Sequence, residues 1–398
     1  MQPLTDVLVL DFTTLLPGPL ATLMLAEAGA QVIKIERPGG EDMRRYEPRF
    51  DGESAMFAML NRGKKSLVLD LKDEGERARL MPLVKRADVL IEQFRPGVMA
   101  RLGLGAKALR KINPRLIYCS ITGYGQTGPR ADEAGHDINY IGYTGLLALQ
   151  PGPTDRPNVP PALIADIGGG TLPAVMNILL ALRQRDRTGK GSVIDIAMSD
   201  AMFTFTSHAV AAGHITGKFS GAGDSRLTGG SPRYQLYPTR DGKLVACGAL
   251  EQKFWLAFTS AIGLAAEFVD VRDPEATKSA VRAIVANRNA ADWKPILAKA
   301  DCCVTIVATL EEALRDPHFV GRGLFEHKVS GASGATMPAL PVPIEPAFRA
   351  RQKTRRLPSL GADNKLATVP RRASGAAAKR TARRPRAKRR GAKVRSGR

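Results

Sequence analysis

Cysteine is scarce in this chain: four residues in 398, at Cys119, Cys247, Cys302 and Cys303. They show neither the spacing of a metal-ligand set nor the density of a disulfide scaffold. No metal site is expected, and free thiols in a reducing cytoplasm are. Histidine is nearly as rare, with five, and His208 and His214 share one segment at no metal-binding spacing. No apolar run reads as long enough to span a bilayer. The opening MQPLTDVLVLDFTT has no basic region and leads straight into a strand, so no signal peptide is expected. G-x-G-x-x-G is missing after that strand. The loop there reads LLPGP, which excludes a nicotinamide or flavin dinucleotide site of the usual kind. Internal repeats are absent too.

Acidic residues are missing from one end. Of the 59 Lys and Arg, fourteen lie between Lys365 and Arg398, where there is no Asp or Glu; the rest holds 45 bases against 38 acids. The net charge of +21 is therefore mostly a property of the tail. With no apolar periodicity and much Ala, Gly and Pro, residues 361–398 read as a disordered basic tail. Such a tail suits nucleic acid or an anionic surface without sequence preference. A solvated appendage with no specific partner is the commoner reading of such a charge block.

What remains is a chain of alternating strands and helices. DVLVL, QVIKIE, SLVLDL, DVLIEQF, RLIYCSIT and SVIDIAM read as buried strands. PLATLMLAEAG, stopped by Gly29, and GERARLMPLVKRA read as helices between them. That alternation predicts an α/β fold, a parallel sheet with helices on both faces, and a ligand beyond the carboxyl ends of the strands. Beyond residue 230, YQLYPT and KLVACGAL form a hairpin turned at Asp241-Gly242, and EQKFWLAFTSAIG a helix. Basic residues cluster near strand ends: Arg37, Arg44 and Arg45, then Arg62, Lys64 and Lys65, then Arg95. They suit a polyanionic ligand such as a phosphorylated adenine nucleotide, although most Lys and Arg are simply solvated.

The chemistry concentrates in residues 123–170. Gly123, Gly125 and Gly128 end one apolar run, His136 and Asp137 stand at a helix start, and Asp166 precedes Gly168, Gly169 and Gly170. Taken singly, these are an N-cap and a turn residue. Facing one small ligand from two sides, His136 and Asp166 would make a proton-transfer site.

Seven phrases occur in order between about Leu4 and Leu360: LLPGPLATLMLAEAGAQVIKIERPGG, NRGKKSLVLDL, EQFRPGVMARLGLG, LIYCSITGYGQTGP, GHDINYIGYTG, ADIGGG and TGKGSVIDIAM. Together they resemble the family III CoA-transferases, which include the α-methylacyl-CoA racemases. The resemblance implies a Rossmann-like, CoA-binding large domain (residues 1–200), a linker (201–230), a small α+β domain (231–320) and a C-terminal return (321–360). It also implies an interlocked homodimer, with the active site between one chain's large domain and the other's small domain. No metal or redox cofactor is implied; coenzyme A comes as the handle of an acyl-CoA substrate. By motif, Arg37 would lie by the adenine and 3′-phosphate, and Arg62, Lys65 and Arg95 near phosphates. Ile91 to Gln93 and Gly123, Tyr124 and Gly125 would line the pantetheine path.

The racemase pattern of the family is His136, Asp166 and Glu251. His136 and Asp166 would exchange the α-proton of a 2-methylacyl-CoA on opposite faces, Glu251 would orient His136, and backbone N–H groups at Asp137 would hold the enolate. Lipid metabolism follows from that substrate. The alternative is an acyl-CoA:carboxylate CoA-transferase, in which Asp166 is the nucleophile and forms a mixed anhydride and then an aspartyl-CoA thioester. In racemases of the family an Asn four residues earlier holds the catalytic Asp; here that position is Ala162.

Overall fold

The computed structural model describes residues 2–152, 155 and 157–367. The basic tail from residue 368, expected to be disordered, lies outside them. Six parallel strands form the central sheet: β1 (Leu8–Phe12), β2 (Gln31–Glu36), β3 (Lys65–Val68), β4 (Val89–Glu92), β5 (Ile117–Thr122) and β6 (Val193–Ala197). Their order across the sheet is β3-β2-β1-β4-β5-β6. This is the doubly wound order of a Rossmann fold, and its direction reverses between β1 and β4. The fold class expected from the alternating pattern is the one observed.

Both faces of the sheet are covered, and the strands alternate between them. Val9, Ile91 and Cys119 point into one buried cluster with Leu25, Ile178 and Ala181, while Leu10, Leu90 and Tyr118 point into another with Leu80, Val84 and Leu109. Helix α1 (Pro17–Glu27) is buried at all eleven positions. It starts on Pro17, and Gly29, at φ +110, ends the turn after it. Helix α2 (Ala55–Asn61) is capped by Ser54, and α3 (Glu74–Arg86) by Asp73 with acids in its first turn and bases in its last.

After β6 the chain leaves the sheet through short helices. It then builds a second layer from an antiparallel sheet, β7 (Gln235–Pro238), β8 (Leu244–Cys247) and β9 (Val304–Ile306), packed on helices Gln252–Ile262, Pro274–Val285 and Ala290–Ala300. The last stretch returns to the first layer. β10 (Lys328–Ser330), β11 (Thr336–Pro338) and β12 (Thr354–Arg356) form a small sheet whose Val329 is buried with Leu20, Leu23 and Phe57. Residues 361–367, assigned from the sequence to the tail, belong to this return. Asp363 and Asn364 accept the backbone N–H groups of Ser66 and Val68, along the edge strand β3.

Several strand-end cations serve the fold instead of a ligand. Arg62 is buried, with Nε 3.0 Å from Glu27 Oε1, and its guanidinium also donates to Leu340 O. Arg349 of the return contacts the other Glu27 oxygen at 3.1 Å. Burial pushes the Glu27 carboxyl up, but Arg62, Arg349 and Arg355 outweigh it and hold the group below its usual range. Lys64 is likewise buried, donating to Asp11 Oδ2, Thr22 Oγ1 and Asn61 Oδ1. Arg62 therefore has no free charge for a phosphate, contrary to its expected role. Glu27→Gln should leave Arg62 and Arg349 buried with one neutral partner. A loss of about 3 kcal/mol in the urea unfolding free energy is expected, and an unchanged midpoint would refute it.

One helix departs from the expectation that no segment is apolar enough to cross a membrane. Ala165–Thr188 passes by length and composition, but half of its most apolar stretch is buried in the protein. Ala174, Ile178 and Ala181 are interior residues of the core beneath the sheet, while Leu172, Met176, Leu179 and Leu180 are exposed.

Candidate active site

The site forms where the strand order reverses, from four loops. The loop between β1 and α1 comes first. Leu15 takes a left-handed conformation (φ 61) and donates its N–H to Glu41 Oε2 at 3.1 Å. Gln93, just past β4, accepts the Gly18 N–H at 3.1 Å, capping the start of α1 from another strand. A side chain at Gly18 would meet Thr13 at 2.3 Å, so this turn is tight for a reason other than phosphate binding.

The loop after β5 carries His136 to the start of α4 (Asp137–Tyr143). His136 is the N-cap in extended conformation, and its N–H donates to Asn139 Oδ1 at 3.0 Å. Asn139, three residues on, is a capping partner legible in the sequence, and it was missed there. The imidazole is left exposed. Beneath it Tyr140 packs its ring on the loop. A Cβ at Gly123 would sit 2.4 Å from Tyr140 Cε1, and one at Gly135 2.7 Å from the same atom. Glycine at both positions is therefore required by the ring and not by flexibility. Tyr124 stands edge-on to Tyr140, at 5.2 Å between centroids.

Asp166 arrives from the opposite side in a π-helical stretch, Ala165–Thr171, that leads into α5 (Leu172–Thr188). Wide turns of this kind concentrate at functional sites. The Gly run lets the stretch press against its neighbours: a Cβ at Gly169 would lie 2.2 Å from Met198 O, and one at Gly170 3.0 Å from Pro17 Cβ. The Asp166 backbone N–H donates to Asp137 Oδ1 at 2.9 Å. Ala162 is exposed, so the Asp137 carboxylate, buried at the α4 start, anchors the segment that carries Asp166.

These parts enclose a cleft of about 460 Å³. Its walls include Gln93, Arg95, Gly123, His136 and Asp166 from the expected set, joined by Thr14, Leu15, Asn139, Tyr140 and Met198. Burial first, and the Asp137 carboxylate second, push the Asp166 carboxyl up to about 6, against a smaller pull from His136. Burial and the Asp166 charge push the Tyr140 hydroxyl up to about 12. An acid that gains and loses its proton near neutrality stands in one cleft with an imidazole, which is what proton transfer needs.

A second groove of about 440 Å³ adjoins the cleft, sharing Thr14 and Phe94 with it, and runs over the carboxyl ends of β1, β2 and β3. Arg37 lines it, its guanidinium paired with Asp42. The other expected residues lie apart from both spaces. Ile91 is fully buried in the core under the sheet. Lys65, half-buried, opens β3 at its amino end. Tyr124 and Gly125 sit behind Gly123, beside Ala197 and the Tyr140 ring. Glu251 is the exposed N-cap of the helix Gln252–Ile262 in the second layer and does not line the cleft. A larger cavity of about 680 Å³ lies between Leu146–Pro151 and the β7–β8 hairpin, and among the described residues its walls hold no carboxylate, histidine or lysine.

The fold is that of an α/β protein with a groove over the strand ends that leads to the cleft holding His136 and Asp166. The family model for CoA-transferase family III matches residues 4–364. The chain belongs to that family. It is 37% identical over 326 residues to the α-methylacyl-CoA racemase of Homo sapiens, covering 81% of this chain and 82% of that one. It is also 37% identical over 357 residues to the acetyl-CoA:oxalate CoA-transferase of Acetobacter aceti, covering 86% and 89%. A CAIB/BAIF family protein from Brucella suis has the same fold, with a TM-score of 0.77 at 31% identity over 92% of this chain and 98% of that structure. Racemases and transferases thus stand at equal distance, and family membership alone leaves the reaction open.

Proposed function

We propose that the protein is an acyl-CoA racemase that epimerises 2-methylacyl-CoA thioesters. The observation that carries the reading is the joint presence of His136 and Asp166 in one cleft, with Asp166 near 6. The thioester's adenosine diphosphate lies in the Arg37 groove and its pantetheine passes Thr14 and Phe94 into the cleft. One base takes the proton from Cα, and the electron pair moves onto the thioester oxygen as an enolate. The other group returns a proton to the opposite face, and the two exchange roles in the reverse direction. No resident cofactor takes part. The place of such a reaction is cytoplasmic lipid metabolism.

The working form is a homodimer. His136 is exposed in the single chain, and so are the apolar side chains of Tyr143, Leu163, Leu172 and Met176, which a second copy would cover. In the dimer Glu251 of a second copy would orient His136. The second reading is CoA transfer through an Asp166 nucleophile. It is favoured by Ala162, which departs from the racemase pattern, and by the 37% identity to a transferase.

The test is proton NMR of a single epimer of a 2-methylacyl-CoA with the enzyme in D₂O, without an acceptor acid. Deuterium at Cα with loss of optical purity is expected. No exchange with several such thioesters, together with CoA transfer to an added carboxylate, would replace this reading by the second.

A further inference from the structure

The loop between β1 and α1 divides the groove from the cleft. Thr13 and Thr14 line the groove, and Thr14, Leu15 and Pro17 line the cleft. A thioester lying as proposed above crosses this loop. Leu15 turns it in the left-handed conformation, at φ 61, which crowds the Cβ of any residue but glycine. Nothing about a leucine favours that turn, so it is imposed by the groups around it.

Two buried side chains from β2 and the loop after it hold the turn. Lys34 Nζ donates to Thr13 O at 2.7 Å, and Glu41 Oε2 accepts the Leu15 N–H at 3.1 Å. Lys34 Nζ and Glu41 Oε1 stand 3.3 Å apart, almost wholly out of solvent. Thr13 has further support, since its N–H and its hydroxyl both donate to Asp11 Oδ1. The Leu15 N–H is given to Glu41. That carboxylate does little for the stability of the fold. Burial pushes its carboxyl up, Lys34 pulls it down and Asp11 pushes it up again, with a net rise. Its Oε1 has no hydrogen-bond partner among the described residues. A buried carboxylate so placed weakens a fold relative to an apolar residue of similar volume.

The turn reaches Asp166 through Pro17. Pro17 O accepts the Thr171 hydroxyl at 2.8 Å, and a Cβ at Gly170 would lie 3.0 Å from Pro17 Cβ. Gly170 and Thr171 end the π-helical stretch that carries Asp166. We propose that Glu41 is a positioning residue for the reaction: by holding the Leu15 N–H it fixes the left-handed turn, and the turn sets Pro17 as the stop against which the Asp166 segment rests. The proposal rests on Asp166 as a reacting group, which the racemase and transferase readings share. A misplacement of about 1 Å at a reacting group lowers a rate by about a hundredfold, so a small shift of this stop is enough to be read.

The experiment is a double-mutant cycle between Glu41→Leu and Leu15→Gly in the full chain. For each protein kcat is measured as deuterium exchange at Cα, or as CoA transfer where the wild type transfers. CoA affinity is measured by titration calorimetry and the folded fraction by circular dichroism. Glu41→Leu alone is expected to lower kcat about 10- to 100-fold while the protein stays folded and its CoA affinity stays within about threefold. Glycine takes the left-handed turn with no Cβ to crowd, so Glu41→Leu added to Leu15→Gly should lower kcat by less than about threefold. If Glu41→Leu does not fold, Glu41→Gln replaces it in the cycle. Its single carbonyl oxygen cannot serve both Lys34 and Leu15 as the carboxylate does, and a smaller loss of the same pattern is expected. An unchanged kcat, or an equal loss in both backgrounds, would overturn the proposal and leave the functional reading standing. So would a kcat loss matched by a loss of CoA affinity or of folded protein, because Glu41 would then act in the groove or in the fold at large. A wild type that neither exchanges nor transfers would remove Asp166 as a reacting group, and the proposal with it.

Discussion

Asp166→Asn is expected to lower turnover by about 10²- to 10⁴-fold, whether the enzyme inverts a carbon or transfers CoA, and to make the folded protein more stable at pH 8. The activity loss follows from chemistry: an amide is neither a base nor a carboxylate nucleophile. The stability gain follows from the position of Asp166. Burial and the Asp137 carboxylate hold its folded value at about 6, above the 3.8 of the unfolded chain. Below about 4 the group is protonated in both states and contributes nothing. As pH rises toward 6 the unfolded chain releases the proton while the folded one keeps it, so stability falls; above 6 the whole penalty is present. A shift of this size corresponds to about 3 kcal/mol, and partial solvent access reduces it to about 1–2 kcal/mol. Denaturant titrations of wild type and variant at pH 4 and pH 8 measure it: the curves should coincide at pH 4 and separate in favour of the variant at pH 8. In the wild type, kcat/KM should rise through an acid limb near 6 in the direction where Asp166 is the base. A variant less stable at pH 8, or a limb near 4, would show that Asp166 is an ordinary solvated carboxylate.

The sheet was legible in the sequence because burial on two faces leaves unbroken apolar strands. LVLDF, VLIE and IYCSIT carry alternate residues to opposite faces, and each is enclosed. The loops that gather the site could be located from Gly, His and Asp at element ends. What the chain order cannot show is how charges pair in space. Arg62 and Lys64 look like their neighbour Lys65 in sequence, yet the first two are buried against Glu27 and Asp11, 35 and 53 residues away. Ile91 lies near the carboxyl end of β4 but faces the core, since one step along a strand reverses the direction of a side chain. The role of Asp137 was hidden for a similar reason. It reads as a capping acid beside His136, whereas its carboxylate reaches across to the Asp166 backbone. The wide turn at Ala165–Thr171 left only its three glycines as a trace, and those read as the entry to a helix until Met198, Pro17 and Phe205 are seen against them.

His136→Ala is expected to separate the two reactions that Asp166 serves in common. Inversion needs a group on each face of the α-carbon, so racemisation should fall by about 10²- to 10⁴-fold from either epimer. Deuterium exchange should behave differently for the two epimers. The epimer whose α-proton faces Asp166 still meets a base, which can remove the proton and return deuterium on the same face. That epimer should exchange without losing optical purity. The other presents its proton to the empty side and should not exchange. CoA transfer through Asp166 requires no imidazole, and a transferase would keep its rate within about tenfold. His136 lies exposed on a cap whose backbone is held by Asn139, so removing the ring should leave α4 and the Asp137–Asp166 link in place. Single-epimer incubations in D₂O, read by proton NMR and chiral analysis, distinguish the outcomes. Unchanged inversion in the variant would exclude His136 as one of two bases. Loss of exchange from both epimers would show that Asp166 does not remove the α-proton by itself.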